Sequence, residues 1–291
     1  MTEISIALTG RLSAAVERMP AFPRSVQRIL ELSRDINCSP KEMVSVIEQD
    51  PVMTMKLLRV INSASYGFTK QVTSVNQSMV FLGLNTIKNM ALSFAAMGAL
   101  PPQSEVGFDV HGYLTHSLTT AGLARTLCQK YRRDDTDPAD CYIAGLLHDF
   151  GKVVLGQFLY KESRIALAHS IRQSISLHVA EQQIIGTDHT VIGGMLVEKW
   201  QFPSQLTETI RNHHSEISPD NMVQSCLFVG NQISKQLKLG NGGNQVVEAL
   251  SPALEARFGG TLQDIIDGLG DITRFEHEAQ VVAQLGRSSK K

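Results

Sequence analysis

SPKEMVSVIEQDPVMTMKLLRVI, residues 39–61, holds two helix starts in succession, and its reading decides the fold class. Ser39, Pro40 and Glu42 combine a cap, a first-turn proline and a carboxylate able to reach back to the cap. Asp50 and Pro51 repeat the cap-plus-proline device. The run from there to Ile61 is apolar round more than half its circumference, which predicts a helix covered by neighbours on several sides. The same punctuation continues outward: Ser74 with Gln77, Asp137 with Pro138 and Asp140, and Ser218 with Pro219 each read as a helix opening. Alternating strand-like segments are nearly absent. The expected fold is all-α, a multi-helix bundle with an N-terminal group of short helices.

At 291 residues the chain exceeds one minimal core, so one large or two modest domains are expected. PPQSEVGF (101–108) and GNGGN (240–244) read as joints dividing segments 1–104, 105–239 and 240–291, the last holding two or three amphipathic helices. Both joints are short, and the three segments are expected to form one body. A formal charge of −1 with 27 scattered Lys and Arg residues offers no basic face, so direct nucleic-acid binding is not expected. The longest apolar run, Met90 to Leu100, is too short to span a bilayer, and MTEISIALTG has no basic leader region. These features predict a soluble cytoplasmic protein without membrane contact. Cys38, Cys128, Cys141 and Cys226 show no CxxC pairing and read as reduced core thiols.

Nine histidines are the chemical feature of the chain. His116, His148, His189, His213 and His214, with His111 as a further candidate, fall where helices could converge. In AGLLHDFGKVVL (144–155), His148 and Asp149 are neighbours, and neighbours on a regular helix diverge by about 100°. Both reach one ion only near a helix end, which Gly151 is expected to supply. Imidazole plus carboxylate suits iron, manganese, zinc or nickel better than calcium. Duller readings stand beside this one. A His–Asp hydrogen bond satisfies both groups without metal. Lys152 reads equally as a solvated helix-start residue, His189 as an exposed first-turn residue after Thr187 and Asp188, and His213–His214 as a C-terminal helix cap. His111, His169, His178 and His277 read as ordinary partly buried residues. Met43, Met53 and Met55 read as core packing, and Asn62, Ser63 and Ser65 beside Tyr66–Gly67 as a capped helix end.

Five blocks in order resemble the HDOD family, a regulatory branch of the HD superfamily of metal-dependent phosphohydrolases: MPAFP (19–23), IEQDPVMTMKLLRVINSASYG (47–67), VNQSMVFLGLNTIKNMAL (75–92), AGLLHDFGKVVL, and GTDHTVIGGMLVEKWQFP (186–203) followed by NHH (212–214). The resemblance covers roughly residues 18–235. It implies that His116 in LTHSL is the first metal histidine, that His148 and Asp149 are the doublet, and that Lys152 is the lysine that contacts substrate phosphate in catalytic relatives. His189 and His213–His214 resemble the further histidines of two-metal relatives such as the HD-GYP type.

The resemblance breaks at the distal aspartate, where CLFVGNQIS (226–234) places Asn231. A neutral amide oxygen is a weaker donor than a carboxylate and leaves the cation's charge unbalanced. No GYP segment follows His214; the chain reads SEISPDNM. Two functions of different class follow. One is a bacterial signalling module that binds signalling proteins or a small phosphate-containing ligand round a degenerate or weakly active metal site. The other is a metal-dependent phosphohydrolase acting on a phosphomonoester or nucleotide, with Asp149 and Lys152 as catalytic residues.

Overall fold

Both cap-and-proline signals open helices. At the start of α3 (Pro40–Glu48) the Ser39 hydroxyl accepts from the Glu42 amide, and the Glu42 carboxylate accepts from the Ser39 amide at 2.7 Å. Asp50 accepts from the Met53 amide at 3.0 Å at the head of α4 (Pro51–Ile61). The computed structural model describes residues 6–34, 38–101, 109–132, 136–215, 217–218, 220–243 and 245–287. Among them every regular element is a helix, and no single helix is long and apolar enough to cross a membrane. Most of the 101–108 joint, Pro219 and Asn244 lie outside the described residues, as does the side chain of Ser65.

The chain divides into two compact units, residues 1–20 with 100–276 and residues 21–99 with 277–291. The second contains α2 (Arg24–Arg34), α3, α4, α5 (Val75–Leu82) and α6 (Leu84–Gly98), packed on one another. Asn62 closes α4 and does more than cap it. Its amide donates to the carbonyls of Leu58 and Val72, and its oxygen accepts from the Val72 amide, all at 2.8 Å. The loop from Asn62 to Val72 is therefore closed by one side chain. The methionine reading needs correction: Met43 and Met53 are buried, but Met55 is 54% exposed. Two residues along a helix is a turn of about 200°, so Met53 and Met55 face opposite ways. Val52 is exposed too, and α4 is buried on one side only.

The first unit holds α1 (Ile6–Arg18), α7 (Val110–Tyr131), α8 (Pro138–Leu147), α9 (Phe150–Phe158), α10 (Tyr160–Gln173), α11 (Leu177–Ile185), α12 (His189–Lys199), α13 (Ser204–Arg211), α14 (Met222–Gln236), α15 (Pro252–Phe258), α16 (Leu262–Gly268) and the first turn of α17 (Thr273–Arg287). The tail thus has the expected helices. α7 is buried along most of its length, with α8 and α14 against it. Gly145 permits that approach, since a β-carbon there would lie 2.6 Å from Ala121 Cα. α1 docks on α12 through Lys199, whose amine bonds the carbonyls of Val16, Glu17 and Met19, and through Trp200, whose indole N–H donates to Pro20 O at 3.0 Å. The Lys199 cation thus meets carbonyls at the C-terminal end of α1, the negative end of the helix dipole.

The opening at Ser218 is also corrected. α14 is capped by Asn221, whose side chain accepts from the Gln224 amide, and the Ser218 carbonyl instead accepts from Asn221 N and Ser225 Oγ. Cys128, Cys141 and Cys226, free and fully buried, come from three different helices and lie within 4.8 Å of one another. Hydrogen bonds among the thiols and burial raise Cys141 well above its ordinary value, and burial does the same for Cys226.

Candidate metal centre

α8 stops at Leu147, and α9 begins at Phe150. His148 closes one helix and Asp149 caps the next, which is how adjacent side chains reach one place. Gly151 does not supply this break, contrary to the sequence reading; it lies inside α9 with helical backbone. Its role is contact: a β-carbon there would lie 1.9 Å from the His189 carbonyl oxygen and 2.8 Å from the Gly193 amide nitrogen. The absent side chain lets α9 meet the first turn of α12, bringing His189 to Asp149.

Four imidazoles surround the Asp149 carboxylate. His116 Nε2 and His148 Nε2 lie 3.5 and 3.3 Å from Oδ2, and His189 Nε2 and His213 Nε2 lie 3.3 and 3.8 Å from Oδ1. The rings of His116 and His148 are 5.5 Å apart, so the expected convergence is present. His116, His148, Asp149, His189 and His213 are all 2% exposed or less. Each ring is oriented from behind. His148 Nδ1 is 2.8 Å from Gly145 O, His213 Nδ1 is 2.7 Å from Ile210 O, and His189 Nδ1 is 2.5 Å from Glu181 Oε2. Glu181 also accepts the His189 backbone amide. His116 Nδ1 is 3.1 Å from Ser234 Oγ, and that hydroxyl donates to Leu239 O, so it can only accept from the ring.

Every Nδ1 therefore carries a proton, and in its neutral form each ring presents a bare Nε2 lone pair to the carboxylate. Those four Nε2 atoms and Asp149 Oδ1 are buried with no hydrogen-bond partner. Lone pairs facing a carboxylate across 3.3–3.8 Å repel unless a cation lies between them. Two ligands on one ion with bonds of about 2.1 Å stand about 3.0–3.4 Å apart, close to the spacing here. The residues fit a divalent transition metal. Protonation states agree: burial lowers His116 to about 4 and His213 well below its ordinary value, keeping both neutral. Burial acts to raise Asp149, but His148 and Lys152 outweigh it and hold the carboxyl well below the usual range.

Lys152 is not solvated. Its amine gives 2.6 Å to Asp149 Oδ2 and 2.9 Å to the carbonyl of Gly242. Nor is His189 exposed; Asp188 caps α12 as read, and the ring turns inward. His213 and His214 follow α13, which is closed by Asn212. His214 makes no contact with the carboxylate, but with His189 and His213 it forms a second group able to hold a metal, its ligand atoms within 4.8 Å of one another. Its ring stacks on His178 at 4.1 Å, and its Nδ1 is 3.7 Å from Glu248 Oε1, so His178 is a neighbour of the centre rather than an ordinary helix residue. His111 makes no contact with the cluster that the described residues record; its amide is capped by Asp109. Asn231 is buried on α14, one turn before Ser234, and its amide oxygen has no hydrogen-bond partner.

Glu181, Ser234, Glu248 and Gly242 escaped the sequence reading because none has a fixed spacing from the residue it serves. Glu181 gives a direct test. Glu181→Gln removes the charge that orients His189, and metal affinity is expected to fall about 10–100-fold, measured by competition with a chelator. Parent-like affinity would show that this contact does not tune the ligand.

A family model for the HDOD domain matches residues 19–216. An uncharacterized protein of Treponema pallidum (strain Nichols) is 28% identical over 217 residues, which are 73% of this chain and 41% of that protein. The chain thus spans about two fifths of the length of this curated relative. Among solved structures, a provisionally assigned signal transduction protein from Marinobacter aquaeolei VT8 superposes with TM-score 0.79 at 24% identity, covering 96% of this chain and 66% of that one. An HDOD domain protein of unknown function from Geobacter sulfurreducens gives 0.74 at 21% identity, covering 96% and 99%. A provisionally assigned phosphohydrolase from Shewanella amazonensis SB2B gives 0.68 at 19% identity, covering 97% and 98%. At these identities the structural likeness establishes the fold alone.

Proposed function

The chain belongs to the HDOD family, and from that premise we propose that it is a bacterial signalling module whose histidine centre holds a divalent metal without efficient turnover. In this reading it works in the cytoplasm and acts by binding signalling proteins or a small phosphate-containing ligand. The observation that carries it is the set of four bare Nε2 atoms round Asp149, with Asn231 where catalytic HD relatives have an acid. The ligands are His116, His148 and Asp149, joined by His189 and His213, with His214 and Asn231 at the margin. Iron, manganese, zinc and nickel all match this donor set.

When bound, a divalent ion supplies Lewis acidity and lowers the pKa of a coordinated water. The chain's own residues do the rest. Ser234, Gly145, Glu181 and Ile210 aim the imidazoles, Asp149 carries the balancing charge, and Lys152 neutralises part of that charge. Asn231 adds no negative charge where the site needs one, which weakens both retention of the ion and positioning of a nucleophilic water.

Phosphohydrolysis is the second reading, favoured by the otherwise complete donor set. One comparison separates the two: parent and Asn231→Asp, each loaded with manganese or iron and assayed on phosphomonoesters and cyclic nucleotides. The expected outcome is metal uptake by both, negligible turnover by the parent, and a gain of about tenfold or more in the variant, the scale of a restored electrostatic interaction. Parent turnover that disappears in His148→Ala would establish the enzyme instead.

A further inference from the structure

The GNGG stretch at 240–243 is more than a joint. Gly240, at φ 78, sits where a β-carbon would lie 2.2 Å from the His116 amide nitrogen and 2.7 Å from Gly112 O. Gly242 is pressed still closer to the chemistry: a β-carbon there would come 2.8 Å from His116 Cδ2, 3.0 Å from its Nε2 and 3.2 Å from Asp149 Oδ2. The segment lies directly on the ligating atoms, and only glycine can lie there.

Its carbonyl is also occupied. Gly242 O accepts from Lys152 Nζ at 2.9 Å, so the lysine divides its bonds between Asp149 and the strap. Beyond the strap opens a cleft lined by Tyr113, Lys152, Leu155, Arg164, Leu177 and Gly243. Gly242 belongs both to the wall of this cleft and to the surroundings of His116 and Asp149, so it separates them. Among the described residues, the strap is tied by the following bonds besides that of Lys152. Asn241 N donates to Gly112 O at 2.8 Å, Gly243 N to Asn241 Oδ1 at 2.9 Å, and Gln245 Nε2 to Gly240 O at 3.2 Å.

We propose that residues 240–243 form an autoinhibitory strap, in which the Gly242 carbonyl stands in for the oxygen of a ligand oxyanion on Lys152 and covers the metal-binding atoms. The proposal rests on the metal-centre reading above. An oxyanion entering from the cleft exchanges a neutral acceptor on Lys152 for a charged one, and charge-assisted bonds are about twice as strong. The exchange lifts the strap and opens the centre. The ligand class is a small phosphate-bearing molecule with enough apolar surface to lie against Leu155, Leu177 and Tyr113.

The test uses the full chain loaded with manganese. In Gly240→Ala the added methyl meets backbone at 2.2 Å in a left-handed conformation, so the strap cannot seat while every ligand side chain is kept. Transfer of manganese to excess chelator is expected to be about tenfold faster than in the parent or more, as for removal of a lid. Should that variant fail to fold, hydrogen exchange of residues 240–245 in the loaded parent replaces it, and inorganic phosphate is expected to speed that exchange. A folded, loaded Gly240→Ala that releases manganese at the parental rate overturns the strap, as does exchange indifferent to saturating phosphate. Absence of manganese uptake by parent and variant alike would instead defeat the metal centre on which the strap depends.

Discussion

Asp149→Ala is expected to lose its divalent ion altogether while keeping its helices. Each Asp149 oxygen faces two of the four imidazoles, Oδ2 toward His116 and His148, Oδ1 toward His189 and His213. Removing it takes away the negative charge from every candidate position at once. Loss of an outer-shell partner costs about 10–100-fold in affinity, so loss of this shared ligand should exceed about 100-fold. Metal content after dialysis and titration calorimetry read the effect directly. His169→Ala is the control, since that ring bonds Gln183 away from the centre and should leave binding unchanged. Without metal, the apo variant should melt close to the apo parent, because the substitution also removes the carboxylate that the Nε2 lone pairs face. A stoichiometric ion in Asp149→Ala would sink the centre as drawn.

Gly151→Ala is expected to carry the largest stability cost of an added methyl among the described glycines. The added carbon would sit 1.9 Å from His189 O and 2.8 Å from Gly193 N, both backbone atoms that cannot rotate away. α9 and α12 would have to separate. Overpacking a core typically costs about 1–3 kcal/mol and more where backbone must move, so a loss of about 3 kcal/mol or more is expected from denaturant midpoints. Metal affinity should fall with it, since Asp149 heads α9 and His189 heads α12. Gly10→Ala is the contrast: on the exposed side of α1 with nothing within 4 Å of the new carbon, it should be neutral or stabilising by up to about 1 kcal/mol. If the two variants melt within about 1 kcal/mol of each other, the close approach of α9 to α12 is wrong.

Local chemistry was legible in the chain. The capping box at Ser39, the caps at Asp50, Ser74 and Asp137, and the absence of alternating segments are signals between residues a few positions apart, and all of them survive in the structure. The His148–Asp149 doublet and the wider set of histidines could be picked out for the same reason, as residue types at recognisable positions. Where a local signal competed with tertiary contact, contact won. Gly151 carried a helix-end signal, yet it serves the packing of α9 on α12, and Ser218 was displaced as a cap by Asn221 three residues on. Met55 followed the rotation of its helix out to solvent.

Sequence by itself therefore determined the fold class and most helix starts and picked out the candidate donor residues, because capping and donor identity depend on near neighbours and on the side chains themselves. Only the tertiary structure decided which atoms of those side chains meet. Glu181 against His189, Ser234 against His116 and Gly242 against Lys152 join segments 8, 118 and 90 residues apart or in adjoining elements, with no periodicity to betray them. The reason is physical. Which ring nitrogen is left bare, and whether a lysine is free or strapped, depends on a hydrogen-bond partner brought up by helix packing, and packing is a property of the whole core.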